Sequence, residues 1–273
     1  MMTESTRKDG IRNTRLRRIA VLALYKSIGR WCPRSSRVTF FPGKFCVKSG
    51  HAVNLAEART LEFIRKNTRI PVPKVLCAFE YRGLVYIAME RLPGQPLSRG
   101  WLQRRDVSKA HILQQVRGYI DELRMVPRAQ GQNLIAGVDG GPFFDQRLPG
   151  ATMQIGPFAS VKDFHTYLET GQGSRFEHED VQRLQALHES ISEAVCLTHN
   201  DLSSFNILAD GEQVTGIIDW ESAAWLPSYW EYTSAWHVNP QNTYWQSEVV
   251  KYLTAFDREL EMEKLRRQYF GDY

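Results

Sequence analysis

The sequence predicts an α+β protein of two lobes, a small lobe built on an antiparallel sheet and then a larger, mainly helical one. Three observations carry that expectation. Short strand-forming runs joined by turn dipeptides surround a single helical pattern between residues 37 and 92. Leu92-Pro93-Gly94-Gln95-Pro96 is the clearest break in the chain. Beyond it, apolar residues recur at the 3–4 spacing of amphipathic helices. A length of 273 residues gives ample chain for a sizeable core, and 42% hydrophobic with 24% charged residues excludes a disordered or collagen-like chain. The division expected is a basic helical extension over 1–36, an N-lobe over 37–92 and a C-lobe over 93–273.

The extension is distinguished by charge. From Gly10 to Ala56 there are ten Lys or Arg residues and no Asp or Glu, within a chain of net charge +5. Such a stretch can attract nucleotide phosphates, nucleic acid or an anionic membrane, although a solvated basic face explains most such charges singly. Arg12, Arg15, Arg17 and Arg18 lie beside an apolar helical stripe of Leu16, Ile19, Ala23 and Leu24, which a mitochondrial presequence would also show. Glu4 and Asp9 argue against a presequence, and there is no secretory h-region. The longest apolar run near the start, Ile19 to Tyr25, is seven residues, far short of a membrane span. Cys32, Cys46, Cys77 and Cys196 show no CxxC spacing, so free thiols and a cytoplasmic location are expected. The histidines show no zinc spacing with cysteines, so a His/Cys metal site is not expected.

In order, Arg37–Phe41 and Phe45–Lys48 read as strands turning at Pro42-Gly43. Asn54-x-x-Glu57 then opens a helix as a capping box, with Ala58, Leu61 and Ile64 on one face, ended by Pro71 and Pro73. Strands follow at Val75–Glu80 and Leu84–Glu90. Past the break, Leu113, Val116, Ile120 and Leu123 mark a long helix over Asp106–Val126. Residues 127–157 are rich in Gly and Pro and read as an extended loop. Two helices are expected over Val161–Thr170 and Glu177–Ser190. Strands are expected at Ala194–Thr198, Asn206–Leu208 and Val214–Ile218, and a last helix over Gln246–Glu263.

The chemistry concentrates in Thr198-His199-Asn200-Asp201-Leu202-Ser203-Ser204-Phe205-Asn206-Ile207-Leu208, followed by Ile217-Ile218-Asp219-Trp220-Glu221. An Asp, an Asn five residues later and an Asp closing an apolar strand are what phosphoryl transfer requires. The reaction needs a carboxylate at the attacking hydroxyl and oxygen ligands that hold magnesium against phosphates. A turn stabilised by Asx hydrogen bonds is the bland reading of Asp201 and Asn206, weakened by the company of Asp219. His199 fits a loop-holding hydrogen-bonding role better than a proton shuttle.

These residues resemble the aminoglycoside phosphotransferase-like family, a branch of the protein-kinase-like fold that also includes choline kinases, over roughly residues 38–260. Pro71-Val72-Pro73-Lys74-Val75, Met89-Glu90-Arg91-Leu92-Pro93-Gly94 and Tyr229-Trp230-Glu231-Tyr232 resemble fungal members of unknown substrate most closely. The resemblance implies ATP and Mg2+ as cofactors and a hydroxyl of a small metabolite as acceptor. It implies Asp201 as the catalytic base, with Asn206 catalytic and, together with Asp219, a magnesium ligand. It implies Lys48 as the phosphate-reaching lysine and Glu57 as its partner, with Lys44 and Glu62 as competitors. Met89, Glu90 and Arg91 would form the hinge beside adenine.

Two departures stand out. The phosphate-covering loop between Val38 and Val47 has one glycine, Gly43, beside Phe40-Phe41-Pro42, and bulky residues hinder the approach of backbone amides to phosphate. Asn200 stands where many relatives have glycine, with a side chain expected to point away. The poor loop motivates the alternative of a catalytically impaired binding module on the same fold. A third reading is attachment to nucleic acid or membrane through the basic extension, but no nucleic-acid-binding motif accompanies it. Five of the seven tryptophans fall between Trp220 and Trp245, as core or as lining of an acceptor pocket. Glu221, Glu231, Asp163 and Asp180 are the acids a cationic acceptor would use, with no common site evident.

Overall fold

A computed structural model describes residues 10–128, 134–145, 147–148, 154–170, 179–237 and 240–270. Glu4, Asp9, the first two residues expected for the Glu177–Ser190 helix and parts of the 127–157 loop lie outside these. The N-lobe opens with helix α1 (Arg15–Ser27), capped by the Thr14 side chain accepting from Arg17 N. A five-stranded antiparallel sheet follows in the order β1-β2-β3-β5-β4. Its strands are β1 (Arg34–Ser35), β2 (Val38–Phe40), β3 (Phe45–Gly50), β4 (Val75–Tyr81) and β5 (Leu84–Glu90). Helix α2 (Leu55–Asn67) lies between β3 and β4 in the chain.

Alternation along β3 sets the geometry of the lobe. Cys46 joins the core shared with α2, while Val47 points to the opposite face with Cys77, Phe79 and Tyr86. That outer face is where α1 packs. The residues that meet the sheet are Val21, Leu22, Tyr25 and Ile28, whereas the stripe of Leu16, Ile19, Ala23 and Leu24 faces solvent. Both stripes have helical spacing, and pattern alone does not say which one meets the sheet.

The break at Leu92–Pro96 is also a strand, β6 (Gln95–Pro96), paired with β9 (Ile207–Asp210), which pairs in turn with β10 (Gln213–Ile217). Gly94 has φ +92°, and a Cβ there would lie 2.7 Å from Ala209 O, so only glycine lets the linker cross this close. The C-lobe continues with α3 (Asp106–Arg124), β7 (Ala136–Gly137), α4 (Val161–Thr170), α5 (Glu179–Glu189) and β8 (Val195–Thr198). Strand β11 (Ala224–Pro227), absent from the sequence reading because it is short and ends in proline, pairs with both β7 and β8. Helix α6 (Trp230–Trp236) precedes a further difference. The single expected last helix is two, α7 (Gln246–Tyr252) and α8 (Asp257–Phe270). Leu253 is extended at ψ 150°, and Asp257 supplies the acid that favours a new N-terminus.

The main core runs without interruption from Ala58, Leu61 and Ile64 of α2, through Val75 and Ile87, to Ile112, Val116, Ile207, Ile217 and Trp220. Trp220, Trp225, Trp230 and Trp245 are all buried, so the tryptophan cluster is chiefly packing. A second cluster joins Ile135, Phe143, Phe164 and Leu184 to Trp230 and Met262.

Candidate active site

Strand β3 carries Lys48 inward, and α2 brings Glu57 to it. Asn54 caps α2 by accepting from Ala56 N at 2.9 Å. The Glu57 carboxylate lies 2.8 Å from Lys48 Nζ in an ion pair that is almost wholly buried. From the C-lobe, Asp219 Oδ1 and Glu221 Oε2 accept from the same ammonium at 2.7 and 2.8 Å. Glu221 also holds Arg37 at 2.7 Å. The competitors are placed elsewhere: Lys44 is exposed in the β2–β3 turn, and Glu62 pairs with Arg12.

This cluster reshapes its own charges. Burial alone would lower the Lys48 pKa, but Glu57, Asp219 and Glu221 together outweigh it and push the ammonium well above its ordinary value. Burial raises the Glu57 carboxyl to about 7 against the pull of Lys48.

The catalytic-loop candidates lie between β8 and β9. Asn206 Nδ2 donates to Asp201 O at 2.8 Å and to Asp201 Oδ2 at 2.9 Å. The amide nitrogen is thereby committed, which leaves the Asn206 carbonyl oxygen as the atom available to a cation. Burial lifts the Asp201 carboxyl to about 7, with Asp219 adding to the rise and Arg147 opposing it. Asp219 itself is held left-handed, at φ 63° and ψ 61°, a strained conformation that a non-glycine residue keeps only when its surroundings enforce it. Oxygen donors from one carboxylate and one amide suit magnesium, which favours few protein ligands and phosphate oxygens.

His199 ties the two halves together. Its Nδ1 accepts from Asp201 N at 3.2 Å, so Nε2–H donates to Ile218 O at 2.9 Å. Burial holds the ring neutral, with its pKa lowered to about 4, which agrees with a loop-holding role.

Three supporting residues were not legible as such. Glu231 of α6 accepts from His199 N at 2.5 Å and from Asn200 N at 3.0 Å, clamping the loop backbone. Asp145 and Arg147, from the segment read as an extended loop, reach the same place. Arg147 Nε donates to Asp145 Oδ1 at 2.9 Å, and the guanidinium also donates to the Asn200 carbonyl and side chain. Asn200 does not point away: its Nδ2 donates to Asp145 Oδ2 at 2.9 Å and to Ser222 O at 3.1 Å, and its Oδ1 accepts from Trp230 Nε1 at 2.8 Å. Only Phe143-Phe144-Asp145, apolar residues ending in an acid within a Gly/Pro-rich stretch, hinted at this. Asp163 is exposed on α4, away from these contacts.

Met89, Glu90 and Arg91 end β5 at the lobe junction. Glu90 N donates to Lys74 O and Arg91 N to Lys44 O, both at 2.9 Å, so a ligand here meets two hinge amides already engaged by the protein. The turn opposite, over 41–44, has Gly43 at φ +92° and Phe41 stacked on Phe45 with centroids 5.0 Å apart. A cavity of about 550 Å3 opens beside Glu221, lined among others by Arg37, His51, Asn54, Phe143 and Phe144.

The model of the phosphotransferase enzyme family (APH) matches residues 48–267, a span that includes both Lys48 and the Asp201–Asn206 segment. The chain belongs to that family. This phosphotransferase has an α+β fold shared with solved aminoglycoside kinases. A thermostable mutant of aminoglycoside phosphotransferase APH(4)-Ia, in ternary complex with ADP and hygromycin B, is 17% identical with a TM-score of 0.61, covering 84% of this chain and 78% of that one. The gentamicin complex of APH(2'')-IIa is 14% identical with a TM-score of 0.55, covering 92% of this chain and 85% of that one. No curated protein matches the phosphotransferase in sequence. Among its described residues, no helix is long and apolar enough to cross a membrane.

Proposed function

We propose that the chain is an ATP-dependent small-molecule kinase that transfers the γ-phosphoryl group to a hydroxyl of a metabolite. The observation that carries this is the convergence of Lys48 from β3, Glu57 from α2 and Asp219 from the C-lobe on one ammonium, next to the bonded Asp201–Asn206 pair. Solved relatives in complex with ADP or AMP-PNP support ATP as donor.

In this reading Met89, Glu90 and Arg91 border the adenine, and Lys48, oriented by Glu57, meets the α- and β-phosphates. Asn206 and Asp219 hold magnesium, which supplies neutralisation of phosphate charge as it builds towards the transition state. Asp201 takes the proton of the acceptor hydroxyl. The hydroxyl oxygen bonds to the γ-phosphorus, and the bond from that phosphorus to the β–γ bridging oxygen breaks, releasing ADP. An Asp201 pKa near 7 suits a base working at neutral pH.

The acceptor enters by the cavity beside Glu221. Its acids Asp139 and Glu221 are paired with Arg59 and with Arg37 and Lys48. That charge balance favours a neutral or anionic metabolite over a polycationic aminoglycoside.

Thermal unfolding with MgATP tests the reading. A ligand specific to the folded state raises the melting temperature by mass action, and Asp219→Ala is expected to lose the magnesium-dependent part. Asp201→Ala is expected to keep nucleotide binding and lose at least about a hundredfold in ADP release with a working acceptor. No shift with any nucleotide would instead favour the binding-module reading, for which the stacked Phe41–Phe45 turn is the motivating observation.

A further inference from the structure

Helix α1 has two apolar faces, and the protein uses one. Val21, Leu22, Tyr25 and, just past the helix, Ile28 pack on the outer side of the sheet. That seat is fixed by the Tyr25 ring edge-on to Tyr86 at 5.5 Å and by Ser49 Oγ donating to Tyr25 Oη at 2.7 Å. The other face points away from the protein. Leu16 is 81% exposed, Ile19 53% and Leu24 40%, with Ala20 and Ala23 exposed between them. Positions 16, 19, 20, 23 and 24 form one helical stripe. Trp31, in the 3-10 turn after the helix, adds a ring that is 69% exposed, with the Arg30 guanidinium 3.9 Å from its centroid.

Charge identifies what covers this stripe. Of the ten Lys or Arg in residues 10–56, Arg12, Arg37 and Lys48 pair with acids of the protein body, while Arg15, Arg17 and Lys26 are exposed on the helix itself and Arg30 just past it. A second copy of the chain would bring two such basic faces together against their mutual repulsion. A nucleic acid would satisfy the arginines but give nothing to Leu16 and Ile19. An anionic bilayer satisfies both, because interfacial helices insert an apolar face between headgroups while basic side chains engage the phosphates. Tryptophan favours that same depth.

We propose that the outward face of α1 with Trp31 docks the protein on an anionic lipid surface. Attachment is peripheral and reversible. It uses the side of the sheet opposite the one that carries Lys48, since neighbouring residues of β3 point to opposite faces, so the nucleotide cleft stays open to water in the docked state.

The test is co-sedimentation of the full chain with phosphatidylcholine vesicles, with and without phosphatidylserine. Each Lys or Arg close to an anionic surface contributes about fivefold in partitioning, so at least about tenfold tighter binding to the serine-containing vesicles is expected, weakened by high salt. Leu16→Glu/Ile19→Glu is expected to lose at least about tenfold in binding, with its melting temperature and MgATP shift unchanged because both positions are exposed. Arg15→Glu/Arg17→Glu is expected to fall similarly. Equal partitioning into both vesicles, no sedimentation, or full binding by Leu16→Glu/Ile19→Glu would overturn the proposal. So would binding to duplex DNA without binding to lipid, or a dimer in sedimentation velocity that Leu16→Glu dissociates.

Discussion

Asn200 sits at φ 68°, a conformation in which asparagine is tolerated better than most side chains. Its amide is spent on Asp145, Ser222 and Trp230, so the residue before Asp201 is bolted to the C-lobe. Arg147 is the charge that makes this bearable, because the Asp145 side chain is completely enclosed. Arg147→Leu is therefore expected to cost about 3–5 kcal/mol in urea unfolding, the penalty of a buried charge left alone. Adding Asp145→Asn should recover part of it, a coupling that a double-mutant cycle reads directly. Asp201 predicts the opposite sign of effect. Its carboxyl lies at about 7 in the folded chain against about 4 in an unfolded one. Between those values the folded state holds a proton that the unfolded chain has released, so stability from this group is lost as pH rises through 7. Asp201→Asn mimics the protonated form. It is expected to melt higher than wild type by at least about 2 °C near pH 8, with the gap closing towards pH 4. Turnover of the wild type should rise over the same interval as the base ionises.

Among the elements, those with a local signal were legible and those specified by distant partners were not. The sequence reading and the structure agree on β5 and α4 to the residue, because turn residues and a clear apolar period bound both. The capping box at α2 is half realised: Asn54 caps, but Glu57 turns to Lys48, a partner outside the helix. Asn54→Ala is expected to cost about 1 kcal/mol in denaturant unfolding, the ordinary worth of such a cap. Strand β11 and the contacts of Asp145 and Arg147 with Asn200 escaped the reading because each exists only through residues far along the chain. The stripe of α1 noted in the sequence had no partner assigned to it, since two stripes share the helical spacing and only the sheet beneath decides which is buried. Of the residues proposed for the site, Asp201, Asn206 and Asp219 stand in two short, dense motifs, whereas Lys48 and Glu57 each had a neighbouring competitor in the sequence. Glu231 and Asn200, which hold those motifs in place, carry no pattern of their own.

At the scale of the molecule, the main core passes from α2 to α3 and on to the strands on either side of the Asp201–Asn206 segment. Ile217 N donates to Pro71 O at 2.8 Å where the lobes meet. An apolar interior without a seam should unfold as a unit. Far-UV circular dichroism and tryptophan fluorescence are expected to report one coincident transition, and two separated transitions would show that the lobes melt independently. The stacking of Phe41 on Phe45 belongs to this scale as well. A glycine-rich flap is mobile when empty and is ordered by the nucleotide it covers, so part of the binding energy is consumed in freezing it. In this chain the hairpin is packed by its own rings without any ligand, one buried and the other lying nearly parallel to it. The timing of nucleotide exchange would then belong to the hinge between the lobes, and the roof over the phosphates would act as a fixed eave and not as a door.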